Sequence, residues 1–443
     1  MKTNKYLLLL ISTLFLTISC SDYTDGINQS PNEFTEAPGD LLIGQANLAA
    51  VKISESQSAR LANLFTDQFT GTDRQYITFN NYTLTAEDFN DDWVDVYVNG
   101  VAQARLAKES AIENGDLVLE GVSSIIESLL IGETAALWGD IPYSEAFDAI
   151  NYPNPTYDAQ ADVLDAIQIL LSDAITKVGS TPVADAYGSP VYVSNENFAN
   201  WGEVAHSLKA RYYLIAKNYP MALSEAKLGI SSKDNDLLAA HGTDTGTKNL
   251  YFRFGAEERE DYLTAGDSHL RKLMDGRTSR LLTTPGDTIR ATKYFNGVNL
   301  NYTTGGYFAQ EASFPIVSFY ETKLIEAEAE QRINPTSSMG RDALNSVRTA
   351  LALEYTGDFP ASTSSGTVLL NEILEEKYIT LIGSLQVYHD VRRTNNAIGV
   401  PVKNTSQGNT TIPQRFLYPQ IELNSNTNFP GIINQFTKTP VNN

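Results

Sequence analysis

The chain has 443 residues, with 32 Lys+Arg against 53 Asp+Glu for a net charge of −21, 42% hydrophobic residues and a single cysteine. That apolar fraction is enough to fill a core, while the acidity repels phosphate backbones, whose binding depends on Lys and Arg, and so excludes nucleic acid as a partner. One cysteine excludes an internal disulfide, a CxxC pair and a thiolate zinc site.

Lys2 and Lys5 precede an apolar run from Tyr6 to Ile18. It is shorter than the roughly 20 residues a helix needs to cross a bilayer, so residues 1–19 read as an export signal. The run ends at Leu16-Thr17-Ile18-Ser19-Cys20, the arrangement of a bacterial lipoprotein cleavage site, so the Cys20 thiol is expected to carry a diacylglyceryl group. Two acyl chains anchor a protein stably, and membrane contact is then through this lipid only. Residues 20–40, opening on Ser21-Asp22-Tyr23-Thr24-Asp25, form a lipidated tether, and residues 41–443 form one domain. The acidity of the tether resembles the export tags of Bacteroidota surface lipoproteins; a plain solvated linker has the same composition.

The body is dominated by helical periodicity. Val122, Ile125, Ile126, Leu129 and Leu130 fall on one stripe of a helix over 117–138. Val163, Ile167, Leu170, Leu171 and Ile175 predict a second over 161–178, and Trp201, Ala205, Leu208, Tyr212 and Ile215 a third. Further helices are predicted over 222–229, 319–333, 341–351 and 369–382. Two closely joined pairs, 201–217 with 221–229 and 319–332 with 341–353, have the size of a tetratricopeptide unit of about 34 residues. Ala222, Ala226, Ala327 and Ala329 are the small residues such packing needs. The expected fold is mainly all-α: a tetratricopeptide-like helical-repeat scaffold with long irregular loops and little β.

Three aromatic, Asn/Gly/Thr-rich stretches, 70–92, 241–266 and 283–314, read as those loops, and long ordered loops usually carry function. In the first, Tyr76, Phe79 and Tyr82 alternate with Asp73, Arg74 and Asn81. An aromatic ring packs against the C–H face of a pyranose, and carboxylate, guanidinium and amide groups satisfy its hydroxyls, so these six residues are candidate glycan contacts. Tyr294, Tyr302 and Tyr307 are the candidates in the third stretch, and Tyr251-Phe252-Arg253-Phe254 offers a further set. Rings in long loops also serve to anchor the loop to its scaffold.

Catalytic constellations are missing. His206, His241, His269 and His389 lack metal-ligand spacing, and no GxSxG elbow or GxGxxG turn occurs. Acid pairs such as Asp91-Asp92 and Glu375-Glu376 are expected by chance among 53 acids. No enzyme activity and no cofactor are expected, Asp234-Asn235-Asp236 being a weak stand-in for a structural calcium site.

Several stretches together resemble the SusD/RagB family of outer-membrane nutrient-binding lipoproteins, in its shorter branch. They are Trp138-Gly-Asp-Ile-Pro-Tyr143, Trp201 through Arg211, Glu326-Ala-Glu-Ala329, Tyr388-His-Asp-Val-Arg-Arg-Thr394 and Ile412-Pro-Gln-Arg-Phe-Leu-Tyr-Pro419. Gln386 and Tyr388 depart from that branch, which often has a carboxylate and a tryptophan there. The resemblance implies four tetratricopeptide-like units, a glycan platform on the loops, and service as the lid of a SusC-like TonB-dependent outer-membrane transporter that receives captured oligosaccharides. Peptide cargo is the alternative within the same architecture. The motif residues themselves read as structural: Gly139 ends a helix, and Arg392, Arg393 and Arg415 are expected to form internal ion pairs that hold the C-terminal segment.

Overall fold

Residues 37–183, 187, 191–193 and 199–443 are described by a computed structural model; the signal segment, Cys20 and most of the tether lie outside the described residues. The fold is mainly helical, as predicted, and its strands are two to four residues long.

The first helices are α1 (Gly39–Glu55) and α2 (Gln57–Phe65), followed by strand β1 (Thr70–Gly71) and α3 (Arg74–Asn80). A short helix, α4 (Asn90–Val94), runs through a π-helical stretch (Asp95–Val101) into α5 (Ala102–Asn114). Next comes α6 (Leu117–Trp138), started by the Asp116 carboxylate accepting from the Leu119 N–H at 3.0 Å and ended at Gly139, φ +91°. The sequence predicts one apolar stripe on α6, but every residue from Gly121 to Trp138 is buried. The helix is central, flanked by α1, α5, α7 (Gln160–Val178) and α8 (Trp201–Ile215) after the intervening strand β2 (Tyr192–Val193). Ser124, Ser128 and Thr134 bond back to helix carbonyls, at 3.0, 2.7 and 2.7 Å, which satisfies their buried hydroxyls, whereas Ser123 Oγ has no partner among the described residues.

Helix α9 (Tyr219–Ala226) packs back on α8, capped by Asn218 and opened by Pro220. The chain then passes through β3 (Leu237–Ala239), α10 (Leu250–Phe252), β4 (Leu263–Thr264), α11 (His269–Met274), α12 (Asp287–Tyr294), the hairpin β5 (Phe295–Asn296) and β6 (Asn299–Leu300), and β7 (Phe314–Val317). A second helix pair follows, α13 (Phe319–Ile333) and α14 (Met339–Tyr355), then α15 (Gly366–Thr380), α16 (Leu385–Arg393) and α17 (Gln420–Ser425). Ala222 and Ala226 meet Ala210, Leu214, Ile325 and Ala329 in a small-residue core where α8 and α9 join α13, the packing the alanines predict. Strands β2, β3 and β7 form an antiparallel sheet in that order, β1 pairs with β4, and β5 with β6.

The expectation for the C-terminal arginines holds only for Arg393, which pairs with Asp390 at 2.5 Å and with Glu328. Arg392 instead donates to the carbonyls of Gln414 and Ala136, both at 2.9 Å, and Arg415 to that of Trp138. Together with Trp138 Nε1 on the Leu417 carbonyl at 2.7 Å, these bonds seat the C-terminal segment on α6 through backbone rather than carboxylates. Trp93, Trp138 and Trp201 are all core residues.

Candidate functional site

The three stretches singled out in the sequence converge. Thr70 and Gly71 pair with Thr264 and Leu263, Ala265 N–H reaches the Val298 carbonyl at 2.8 Å, and Asn249 bonds the carbonyls of Gln310 and Ala312 at 3.0 and 2.9 Å. They are less irregular than expected: α3, α10, α12 and the β5–β6 hairpin lie within them. Local sequence accounts for this, since Asp73 caps α3 by accepting from the Arg74 N–H at 2.9 Å and Gly297 takes φ +61° in the hairpin turn.

Within 70–92 the predicted aromatic contacts face inward. Tyr76, Phe79 and Tyr82 are 1, 4 and 3% exposed. The Tyr76 ring lies 5.4 Å from Phe79 and 5.0 Å from Phe254, and its hydroxyl accepts from Arg60 Nε at 2.8 Å. Tyr82 packs edge-on to Phe65, and its hydroxyl accepts from the Lys403 N–H at 3.1 Å. A ring can stack on a sugar only through a free face, and these three spend theirs anchoring the stretch to the scaffold. Asp73, Arg74 and Asn81 remain at the surface, Arg74 3.8 Å from the Asp73 carboxylate.

The third stretch is different. Tyr302 and Tyr307 are half-buried, and Tyr294 is buried in the wall of a depression. Two depressions adjoin at Ala312. The first is an open groove of about 700 Å³, bordered by Phe252, Tyr302, Thr303, Thr304, Gln310 and Glu311. Its two rings stand nearly perpendicular, 81° apart with centroids 6.3 Å apart. Gly255 permits this: a Cβ there would stand 1.9 Å from the Tyr302 hydroxyl. Burial raises the pKa of that hydroxyl, which has no hydrogen-bond partner among the described residues.

The second depression, about 340 Å³ and more enclosed, is walled by Tyr294, Tyr307, Tyr320 and Tyr355 with Asp236 and Glu354. Tyr320 donates to Glu354 at 2.6 Å, and Lys233 Nζ lies 3.2 Å from the same carboxylate and 5.2 Å from the Tyr320 ring centre. Burial pushes the Asp236 carboxyl up to about 7, although it accepts from the Phe319 N–H at 2.6 Å. Asp236 is thus committed to starting α13, and Asn235 to Glu203 at 2.8 Å; among the described residues no trio of His, Cys, Asp or Glu is placed to hold a metal ion.

The sequence pointed to Phe252, Tyr294, Tyr302 and Tyr307 and named Asp236 only as part of a weak calcium stand-in, while Tyr320, Glu354 and Tyr355 were missed. They sit beside or within the α13–α14 pair, where helical periodicity accounts for them without a site. Two further clusters of buried charge are structural. Arg211 bridges Glu133 at 3.0 Å and Glu321 at 2.6 Å, and Glu376 gathers Arg280, Arg290 and Arg348 within 3.0 Å. Each carboxylate there meets a guanidinium, leaving none free as an acid or base.

A helical-repeat body that presents loop-built aromatic depressions, with no helix among the described residues long and apolar enough to cross a membrane, defines a scaffold of the tetratricopeptide-like class. The chain belongs to the SusD-like family: the family model, described as starch-binding and associating with the outer membrane, matches residues 31–419. Similar solved structures include a chitin-binding SusD homologue from Flavobacterium johnsoniae, 16% identical, covering 91% of this chain and 98% of that one with a TM-score of 0.67. A SusD homologue from Bacteroides uniformis is 17% identical, with 91 and 99% coverage and a TM-score of 0.67, and a SusD/RagB family protein from Bacteroides thetaiotaomicron is 18% identical, with 89 and 95% coverage and a TM-score of 0.65. At these identities the likeness is one of fold. No curated protein matches the chain. Membership places it in a carbohydrate-binding family associated with the outer membrane.

Proposed function

We propose that this protein is a lipid-anchored, cell-surface receptor that captures oligosaccharides, without chemical turnover, and passes them to a TonB-dependent outer-membrane transporter over which it acts as the lid. The observation that carries the glycan reading is the open groove. Its half-buried Phe252 and Tyr302 rings offer apolar faces, while Thr303, Thr304, Gln310 and Glu311 supply donors and acceptors for hydroxyls. Its openness suits a chain molecule better than a single small ligand. Arg74 and Asn81 are exposed and Asp73 half-buried on the same loop assembly, where they extend the polar surface, and Tyr307 with Tyr294 lines the adjoining depression. Anchoring at Cys20 would keep this face at the outer membrane.

Calorimetry of the purified protein against a panel of oligosaccharides should show binding with no product formed. Phe252→Ala should weaken it by roughly 1 to 3 kcal/mol. A folded Phe252→Ala variant with unchanged affinity would remove the groove from the site. Turnover of any oligosaccharide, or binding of peptides alone, would overturn the reading as stated.

A further inference from the structure

Segment 241–258 also borders a cavity of about 420 Å³, closed on another side by α1 and α2. Arg60, on α2 and 8% exposed, forms part of its wall. The guanidinium lies 4.0 Å over the Phe254 ring, and Nε donates to the Tyr76 hydroxyl at 2.8 Å. Its two terminal nitrogens make no hydrogen bond to the described residues, and no carboxylate among them lies within 4 Å. Asp92, the buried acid behind it, takes its hydrogen bond from Ser58 at 2.6 Å.

The other cations around this cavity are all matched. Lys52 pairs with Asp95 at 2.5 Å, Arg253 with Glu258 at 2.6 Å, His241 with Glu55 at 2.9 Å, and Lys248 with Glu257. Elsewhere in the core, Arg392 and Arg415 are capped by backbone carbonyls. Among the cavity's described residues, Arg60 alone combines burial with unmatched donors. Its terminal N–H groups are open to the cavity rather than enclosed, so a polar or anionic ligand entering it can complete them. Its fixed fork of parallel N–H groups fits a carboxylate bidentately.

We propose that this cavity is a carboxylate subsite in which Arg60, stacked on Phe254 and hydrogen-bonded through Nε to the Tyr76 hydroxyl, receives the acid group of a uronic-acid unit. The assignment rests on the glycan reading above and narrows it to acidic oligosaccharides. A singly charged, planar carboxylate matches one unpaired guanidinium, whereas a multiply charged anion would meet the field of a chain whose net charge is −21. At about 420 Å³ the cavity has room for a sugar unit.

The test compares an oligogalacturonate with the same oligosaccharide fully methyl-esterified, by calorimetry on the purified protein. The acid should bind about tenfold or more tighter than the ester, since a charge-assisted pair contributes at that level. Arg60→Gln should abolish the preference while binding of the ester persists; Tyr76→Phe, which removes the acceptor of Nε with little change in volume, should reduce it. The wild-type comparison decides even if Arg60→Gln does not fold. Equal binding of acid and ester, or a preference that survives in folded Arg60→Gln, would overturn the proposal and leave the glycan reading standing. Binding of neither oligosaccharide, with Arg60-dependent binding of a peptide through its terminal carboxylate, would overturn both.

Discussion

Replacing Gly255 with alanine tests how the groove wall is built without touching a ligand contact. The new Cβ would stand 1.9 Å from the Tyr302 hydroxyl oxygen, 2.5 Å from Cζ and 3.1 Å from Cε2. Ordinary contact is about 3.5 to 4.0 Å, so the ring must withdraw by roughly 1.5 Å or the segment must shift. Overpacking of this kind costs about 1 to 3 kcal/mol, and the displaced ring should weaken oligosaccharide binding as well. Tyr302→Phe separates the two effects. It deletes a buried hydroxyl that has no partner among the described residues, so stability should be unchanged or raised by about 1 kcal/mol, with the ring still in place. The double variant should recover only part of the loss, because the ring carbon at 2.5 Å still collides. Urea denaturation reads the stability terms and calorimetry the affinity. Gly255→Ala with unchanged stability and affinity would refute the placement of Tyr302. Tyr302→Phe destabilised by more than about 1 kcal/mol would show that its hydroxyl is bonded after all.

Three other outcomes are expected. Asp236 has its pKa raised by burial to about 7 from 3.8, so the folded state holds a proton the unfolded chain has released between those values. Stability therefore falls as pH rises from about 4 to 7, and Asp236→Asn should flatten that fall, with a gain at pH 8 bounded at about 4 kcal/mol. Glu133 is the opposite case. Burial raises its pKa, but the His389 hydrogen bond at 2.8 Å and the Arg211 charge at 3.0 Å outweigh burial and lower it to about 2. Burial also lowers the His389 pKa, keeping the ring neutral at pH 7, so Arg211 supplies the compensating charge. This stabilisation is present above about pH 4.5 and lost as pH falls towards 2; Glu133→Gln should lose about 3 kcal/mol at pH 7 and remove that acid-side slope in denaturation midpoints. Cys20→Ser should move the protein from the membrane fraction to the soluble fraction of cells, and retention in the membrane would refute lipid anchoring.

Helices that carry branched or large apolar residues on one face were legible: the predicted ends of 319–333 match α13, and those of 161–178 lie within a residue of α7. Helices α1 and α5 were not assigned from sequence. The buried face of α5 consists of Ala104, Ala107 and Ala111, which carry little of the hydropathy contrast that periodicity detects. The same limit applies at the site. Asn, Gly and aromatic content marked the stretches that converge, but ring orientation is set by partners far along the chain. Tyr76 faces Phe254 and Arg60, and Tyr82 faces Phe65 and Lys403, so rings of the same local context as Tyr302 ended inside.

What the sequence determined by itself is the all-α class, the paired helices with their small-residue contacts, the lipoprotein expectation at Cys20 and the aromatic stretches that converge in the structure. These follow from short-range patterns: hydrophobic period, caps, glycine turns and a single cysteine after an apolar run. Tertiary structure decided which aromatic rings keep an open face, which arginine keeps unbonded donors beside a cavity and where two depressions meet at Ala312. Those properties depend on what packs against a side chain from far along the chain, as where Thr70 pairs with Thr264, 194 residues away. No local pattern encodes the solvent left over once such distant segments have closed on one another.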